Sequence, residues 1–159
     1  MLRIVLIVGL CANLAACANL ELTSRSDADT SIDRDEFSCL REAIYFEAGN
    51  SGPDGQAAVA HVIMNRVADP RFPGSVCGVV TEGQDAGRCQ FSYRCILDFT
   101  EIRWPTNHEK AAVTATRVLT DDVEDPTKGA LFFHAASMPP GWFNTLKRVG
   151  NFGGNIFYR

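Results

Sequence analysis

One acidic side chain, Glu47, stands where a helical apolar stripe ends. Phe37, Leu40 and Ile44 precede it at spacings of three or four residues, which places all four side chains on one helix face. Burial on that face and the negative end of the helix both favour the protonated carboxyl, which would raise its pKa from about 4.3 toward about 6. Beside a cleft, such a group can act as a general acid on a glycosidic bond. The alternative is a structural ion pair with Arg41, Arg66 or another arginine.

Three helices must position this carboxyl group. The first is predicted over about Asp35 to Ala48, capped by Asp33 or Asp35 and ended by a left-handed residue at Gly49 or Asn50. A second helix is predicted over residues 55–68, with Asp54 as its cap and Val59, Val62, Ile63 and Val67 as its buried stripe.

Beyond the second helix, the hydrophobic pattern indicates one more long helix and then short strands. A third long helix is predicted over 107–120, where Thr106 and Glu109 fit a capping box, and a short element "VCGVV" lies between the second and third helices. The tail segments "GALFFHAA" and "GNIFYR" are typical of short strands, with the loop "SMPPGWFN" between them. The sequence therefore predicts a helix-rich α+β domain with a small late β-sheet.

The first 36 residues are predicted to lie outside this domain. Residues 1–16 have the pattern of a signal peptide, and "LAAC" resembles the lipobox in which a cysteine, here Cys17, is lipidated. An ordinary signal cleaved after small residues is the alternative. Residues 17–36 are predicted as a flexible acidic linker, because positions 18–36 hold six acids against two arginines. We expect a lipid-anchored protein of the periplasm or cell envelope, with residues 37–159 as its folded domain. Ala18, which follows Cys17 in place of an aspartate, favours the outer membrane in a host that has one.

Export determines how the cysteines are interpreted. Cys39, Cys77, Cys89 and Cys95 remain after Cys11 and Cys17 are set aside, and an even number in an exported domain predicts two disulfides of undetermined pairing. Zinc is disfavoured, because no Cys-x-x-Cys pair occurs and the three histidines are far apart in sequence. Neither a metal nor another cofactor is expected. From residue 37 onward 12 basic and 13 acidic side chains nearly balance, which gives no basic excess for nucleic acid.

Several motifs in order resemble one known family. They are "CLREAIYFEAGNSGPDGQAAVAHVIMNRVADPRFPGSVCGVV", "CQFSYRC", "ALFFHAASMPPGWF" and "NIFYR". Together they are similar to the cell-wall hydrolase family of the spore-cortex-lytic enzymes SleB and CwlJ, in its exported proteobacterial form. The resemblance covers residues 39–159. It implies a lysozyme-like fold, peptidoglycan as the partner and substrate, and Glu47 as the catalytic acid of the family's Tyr-x-Glu-Ala segment.

The resemblance also implies a reaction. Relatives act as lytic transglycosylases, which cut between N-acetylmuramic acid and N-acetylglucosamine and leave a 1,6-anhydro end. One carboxyl group suffices there, because the C6 hydroxyl of the substrate attacks, whereas two-carboxylate hydrolysis needs a second acid. Asp54 is the nearest acid to Glu47 in sequence, but helix capping explains it better. A hydrolytic muramidase, a non-catalytic peptidoglycan-binding lipoprotein and a Cys-His peptidase with His134 as base are the alternatives.

The family's usual Glu-Ala-Arg-Gly-Glu reads "EAGNS" in this chain. Gly49 takes the place of the arginine and Ser51 that of the second glutamate, and a role for that glutamate in catalysis would put the activity in question.

Other residues are candidates for the cleft. Gln90 and Ser92 have side chains that can bind sugar N-acetyl groups, and Phe91 and Tyr93 have rings that can stack on sugars. The alternative is a surface loop closed by a disulfide, with one of the two rings buried. His134 matches a family histidine, as a cleft residue or as a half-buried structural one. Trp142 and Tyr158 are core residues or sugar platforms. Asn65 and Arg66 also match the family and are interpreted as structural, tying the second helix to loops around the site.

Overall fold

The computed structural model describes residues 32–96, 102–138, 141 and 143–159. The predicted signal peptide and lipidation site, most of the linker, and Trp142 lie outside these residues. The described chain forms the helices α1 (Arg34–Ala48), α2 (Gly52–Ala68), α3 (Val76–Thr81), α4 (Tyr93–Ile96) and α5 (Pro105–Leu119), and the strands β1 (Phe132–Ala135), β2 (Arg148–Phe152) and β3 (Asn155–Tyr158). The predicted class, helix-rich α+β with a small late sheet, is confirmed.

The long helices pack on one another around a common apolar core. The stripe predicted for α1 is buried, since Leu40 and Ile44 are fully inaccessible and Phe37 packs against them. Ile63 of α2 belongs to the same core, together with residues of α3 and α5. On the other side of α2, Val59 and Val62 pack against β3 through Phe157. The two sides of α2 therefore join the helical part of the domain to the sheet.

Helix α1 begins slightly earlier than predicted and ends differently. Asp33 caps it, because its Oδ1 accepts from the backbone N–H groups of Asp35 at 2.8 Å and Glu36 at 3.0 Å. The helix thus includes residues 34–36, at the end of the range 17–36 assigned to the linker; Asp35 and Glu36 also belong to the predicted helix. The predicted left-handed end at Gly49 or Asn50 is wrong, since Gly49 is right-handed at φ −55° and Asn50 is not among the described residues with positive φ. Gly52 takes the left-handed conformation instead, at φ +69°.

The caps predicted for the other two long helices are also wrong. Proline is favoured in the first helical turn, and Pro53 and Pro105 each occupy it, which moves the start of both helices toward the N-terminus. Asp54 and Thr106 consequently lie inside the first turn, where neither caps its helix. A single turn of helix, α4, also forms at the end of the "CQFSYRC" motif, where no helix was predicted.

The sheet is antiparallel, with β3 between β1 and β2. Strands β1 and β3 agree with the tail segments predicted, but β2 was missed, because it contains Gly150 and an irregular register that break strand alternation. The turn from β2 to β3 packs directly on α2. A Cβ added at Gly55 would lie 2.8 Å from the Cα of Gly153, closer than side chains allow, so both positions require glycine.

Both predicted disulfides are present. Cys39 pairs with Cys77 and joins α1 to α3, and Cys89 pairs with Cys95 across six residues. We call residues 89–95, closed by the second bridge, the cleft loop. Within the described ranges, no helix combines the length and apolar character needed to cross a membrane.

Candidate active site

A cleft of about 490 Å³ opens beside the last turn of α1. Its lining comes from α1, α2, the cleft loop, the sheet and the segment after β1, and it comprises Glu47, Arg66, Gln90, Phe91, Ser92, Phe132, Phe133, His134, Ala135, Met138, Phe143 and Asn155. All five residues predicted for the site, Glu47, Gln90, Phe91, Ser92 and His134, thus meet in one place. Elements distant in sequence form the walls, and α1 supplies the carboxyl group.

Glu47 is the one carboxyl group among the described residues that line this cleft. Its side chain is partly buried at the end of the apolar stripe, and desolvation raises its pKa from 4.5 to about 6. None of the ion pairs between described residues includes it, so the structural alternative of an arginine partner is not supported. At pH 7 a pKa near 6 leaves roughly a tenth of the molecules protonated. The group can therefore both donate and accept a proton near neutral pH.

The other acids near Glu47 in sequence are explained differently. Glu42, on α1, accepts from Arg94 of the cleft loop at 2.7 Å in a partly buried ion pair. Asp54 is exposed in the first turn of α2 and is not part of the cleft lining. Ser51 likewise lies outside the lining, with its Cβ close to the contact between Gly55 and Gly153. Ser51, which the resemblance places at a second glutamate, thus lies toward the β2–β3 turn.

The cleft loop is held to α1 by more than its disulfide. Tyr93 is buried and stacks on Phe46 with ring centroids 4.6 Å apart, and Arg94 makes the ion pair with Glu42. Burial first, and then the charge of Glu42, raises the pKa of Tyr93. The prediction that Tyr93 stacks on sugar is therefore wrong, because its ring is used to dock the loop. The loop in turn presents Gln90 and Ser92, both exposed, at the cleft.

Phe91 lines the cleft but is only 2% exposed. It belongs to the apolar core and leaves little ring surface for a sugar to cover. Stacking by Phe91 is therefore disfavoured. Among the other cleft residues, Met138 has a largely exposed side chain, and Phe132, Phe133 and Phe143 add apolar surface.

His134 is both a cleft residue and a structural one. Its Nδ1 lies 2.7 Å from the carbonyl oxygen of Ala135 and must carry the proton, so Nε2 accepts from the hydroxyl of Tyr158 at 2.9 Å. Its ring also packs on Phe143 and Tyr158, with centroids 4.8 Å and 5.5 Å away. With both nitrogens engaged, His134 is a poor general base. Tyr158 is buried, which identifies it as a core residue rather than a sugar platform.

Asn65 and Arg66 do tie α2 to the cleft, as predicted. Asn65 donates to Asp125 Oδ2 at 3.0 Å and to the carbonyl oxygen of Ala130 at 3.1 Å, and Arg66 Nε donates to the carbonyl oxygen of Leu131 at 2.8 Å. Burial pushes the pKa of Asp125 up, but its hydrogen bonds, including that from Asn65, hold it below the ordinary value. These contacts fix the chain as it enters β1.

Sequence reasoning missed several of the lining residues. Phe132 and Phe133 precede His134 in the predicted strand. Their position next to a predicted cleft residue could have indicated that they line the cleft. No such indication existed for Met138, Phe143 and Asn155, because their place in the cleft depends on how the sheet packs against α2. The described residues contain no group of three or more His, Cys, Asp or Glu side chains that could hold a metal ion.

Comparison with known proteins gives a consistent result. Residues 50–158 match the family described as Cell Wall Hydrolase, a range that begins just after Glu47. The spore cortex-lytic enzyme of Halalkalibacterium halodurans is 31% identical over 143 residues, which cover 88% of this chain and 39% of that protein. That of Bacillus subtilis is 32% identical over 117 residues, covering 70% of this chain and 34% of that protein. The chain thus spans between a third and two fifths of these relatives.

Solved structures agree in fold. The catalytic domain of the germination-specific lytic transglycosylase SleB from Bacillus anthracis aligns with a TM-score of 0.59 and 26% identity, covering 81% of this chain and 98% of that domain. The catalytic domain of SleB from Bacillus cereus aligns at 0.62 with 24% identity, over 80% and 91% of the two chains. These domains are lysozyme-like, which confirms the predicted fold. The chain belongs to the Cell Wall Hydrolase family.

Proposed function

We propose that this protein cleaves the glycan strands of peptidoglycan as a lytic transglycosylase, with Glu47 as general acid and then general base. One observation carries the proposal: Glu47 is the one carboxyl group among the described cleft-lining residues, and burial raises its pKa to about 6. The alignment with a lytic transglycosylase catalytic domain supports the same reaction.

The reaction needs no water. Protonated Glu47 donates its proton to the glycosidic oxygen as the bond between that oxygen and C1 of N-acetylmuramic acid breaks. N-acetylglucosamine leaves with a free 4-hydroxyl. The C6 hydroxyl of the same muramic residue then attacks C1, and the Glu47 carboxylate takes its proton. The products are a 1,6-anhydro end and a regenerated acid.

Hydrolysis by a pair of carboxylates is less well supported. An inverting or retaining hydrolase places its second carboxyl group within about 5 to 10 Å across the sugar, and the described cleft lining offers no such group. A Cys-His peptidase is also disfavoured. All four described cysteines are in disulfides, and His134 uses both ring nitrogens in hydrogen bonds.

A non-catalytic glycan-binding protein remains the second candidate, because Gly49 and Ser51 replace charged residues of the family pattern. The test is mass spectrometry of the products from purified glycan strands. We expect 1,6-anhydro ends. Reducing muramic ends would indicate a muramidase instead, and intact strands with measurable binding would indicate the non-catalytic protein.

We further propose that the protein is anchored to the cell envelope through a lipid on Cys17. The support is the "LAAC" segment after an apolar run, followed by an acidic linker that would give the domain reach. In cells fed a labelled fatty acid, the protein should take up label and Cys17→Ser should not. Equal labelling of the two proteins would contradict the anchor.

A further inference from the structure

Arg66 is a buried cation in the cleft. It is 5% exposed, and its guanidinium carbon lies 5.1 Å from the ring centroid of Phe72 and 5.7 Å from those of Phe91 and Phe132. Glu47 and Arg66 are the two charged side chains in the described cleft lining. Arg66 is thus a cation among three aromatic rings at the wall of a candidate glycan cleft. An anionic partner would stabilise it there.

The described residues offer the guanidinium of Arg66 few hydrogen bonds and no ion pair. The one hydrogen bond given by this guanidinium to a described residue runs from Nε to the carbonyl oxygen of Leu131, and no described ion pair includes Arg66. Glu82 acts on Arg66 only from beyond ion-pair distance. Desolvation accordingly lowers the pKa of Arg66 from its ordinary value, although an arginine stays charged. Burying a charge without a bonded anion is costly, and an anionic ligand in the cleft would offset that cost.

The cleft is the side from which a ligand can reach the guanidinium. Its Nη atoms make no hydrogen bond to a described residue, because the bond to Leu131 comes from Nε. Arg66 is 5% exposed and belongs to the cleft lining, so the cleft is the open space beside it. Two Nη groups side by side match the two oxygens of a carboxylate.

We propose that Arg66 binds the lactyl carboxylate of N-acetylmuramic acid, so that the protein prefers glycan strands from which the stem peptides have been removed. This inference rests on the proposed function, because it concerns the same cleft. The lactyl group is attached directly to the sugar ring that Glu47 would act on. It is a free carboxylate in stem-less strands and a neutral amide when a stem peptide is attached. An amidase that removes stem peptides would therefore supply the substrate.

Binding is best measured with the full chain carrying Glu47→Gln, which prevents turnover. The ligands are stem-less strands, stem-bearing strands, and stem-less strands whose lactyl carboxyl has been converted to the methylamide. We expect the free carboxylate form to bind about tenfold more tightly than the methylamide, as a charge-assisted hydrogen-bonded pair warrants. Stem-bearing strands should resemble the methylamide.

Two further substitutions identify the residue responsible. Arg66→Gln, added to Glu47→Gln, should abolish the difference between the carboxylate and the methylamide. Arg71→Gln is the matched control, because Arg71 also lies over Phe72, at 5.9 Å, but is exposed, pairs with Asp69 and is not in the cleft lining. It should keep the tenfold difference. If Arg66→Gln does not fold, the comparison of the three ligands with Arg66 intact decides the question.

Some outcomes overturn the inference alone. Equal binding of all three strands by the protein with Arg66 intact would do so, as would tighter binding of stem-bearing strands, which would assign Arg66 to a carboxylate of the stem. If the Arg66→Gln protein still prefers the free carboxylate to the methylamide, another residue binds the carboxylate. In each case cleavage by the protein with Glu47 intact would leave the proposed function standing. Neither binding nor cleavage of any strand would overturn both.

Discussion

Replacing Glu47 by glutamine should stabilise the folded protein, and only above acidic pH. The pKa of Glu47 rises from its ordinary 4.5 to about 6 on folding, because burial disfavours the charged form. Since each tenfold change in an equilibrium constant is ~1.4 kcal/mol, the difference corresponds to ~2 kcal/mol. A carboxyl group whose folded pKa is raised stabilises the native state fully below its unfolded pKa. That stability is lost as the pH rises through the folded pKa.

Glutamine has nearly the same shape and does not ionise. At pH 4, where the carboxyl group is largely protonated in both states, the two proteins should have similar free energies of unfolding. At pH 8 the Glu47→Gln protein should be more stable by up to ~2 kcal/mol. No hydrogen bond between Glu47 and another described residue is available to offset this gain.

Urea unfolding followed by circular dichroism at pH 4 and pH 8 measures the effect directly. Glu124→Gln is the control, because Glu124 is exposed and its replacement should change stability by less than about 0.5 kcal/mol at either pH. A Glu47→Gln protein that is less stable than the original protein at pH 8 would refute the reasoning. A gain in the free energy of unfolding that is the same at pH 4 as at pH 8 would refute it as well. Glu47 would then be stabilised in its charged form by a partner.

Three further predictions follow from the same structure. The kcat/KM for glycan cleavage should fall about tenfold per pH unit above pH 6, because only protonated Glu47 donates; a flat profile from pH 6 to 8 contradicts this. Replacing Cys39 and Cys77 by serine should lower the free energy of unfolding in urea by ~4 kcal/mol, against ~2 kcal/mol for removal of the Cys89–Cys95 bridge. The longer closed loop restricts the unfolded chain more, so a larger loss for the Cys89–Cys95 bridge would contradict this reasoning. Gly55→Ala should cost ~1–3 kcal/mol through its clash with Gly153; an unchanged unfolding midpoint counts against that contact.

Periodicity along single elements was the part of the fold most readily predicted. The stripe of Phe37, Leu40 and Ile44 placed Glu47 correctly at the edge of the core, because the apolar positions of one helix face are encoded locally. Helix ends were less well predicted. Asp54 has the right chemistry for a cap, but Pro53 before it fits the first helical turn, and the proline decided where the helix starts.

Contacts between distant segments could not be predicted. Nothing in the sequence shows that Phe72 and Phe132 meet around Arg66, since the three residues come from a loop, a strand and a helix. The aromatic residues of the cleft loop were similarly ambiguous. Tyr93 and Phe91 looked alike as sugar platforms, and packing against α1 and the core determined that both are buried.

The most direct test of the central claim compares glycan cleavage by the protein with Glu47 and by Glu47→Gln, on purified strands at pH 6. We predict a fall in kcat of at least about 100-fold, with binding of the strands retained, because the glutamine keeps the shape of the cleft and lacks the transferable proton. A Glu47→Gln protein that cleaves within a few-fold of the original would contradict the account, and would show that the proton comes from another group.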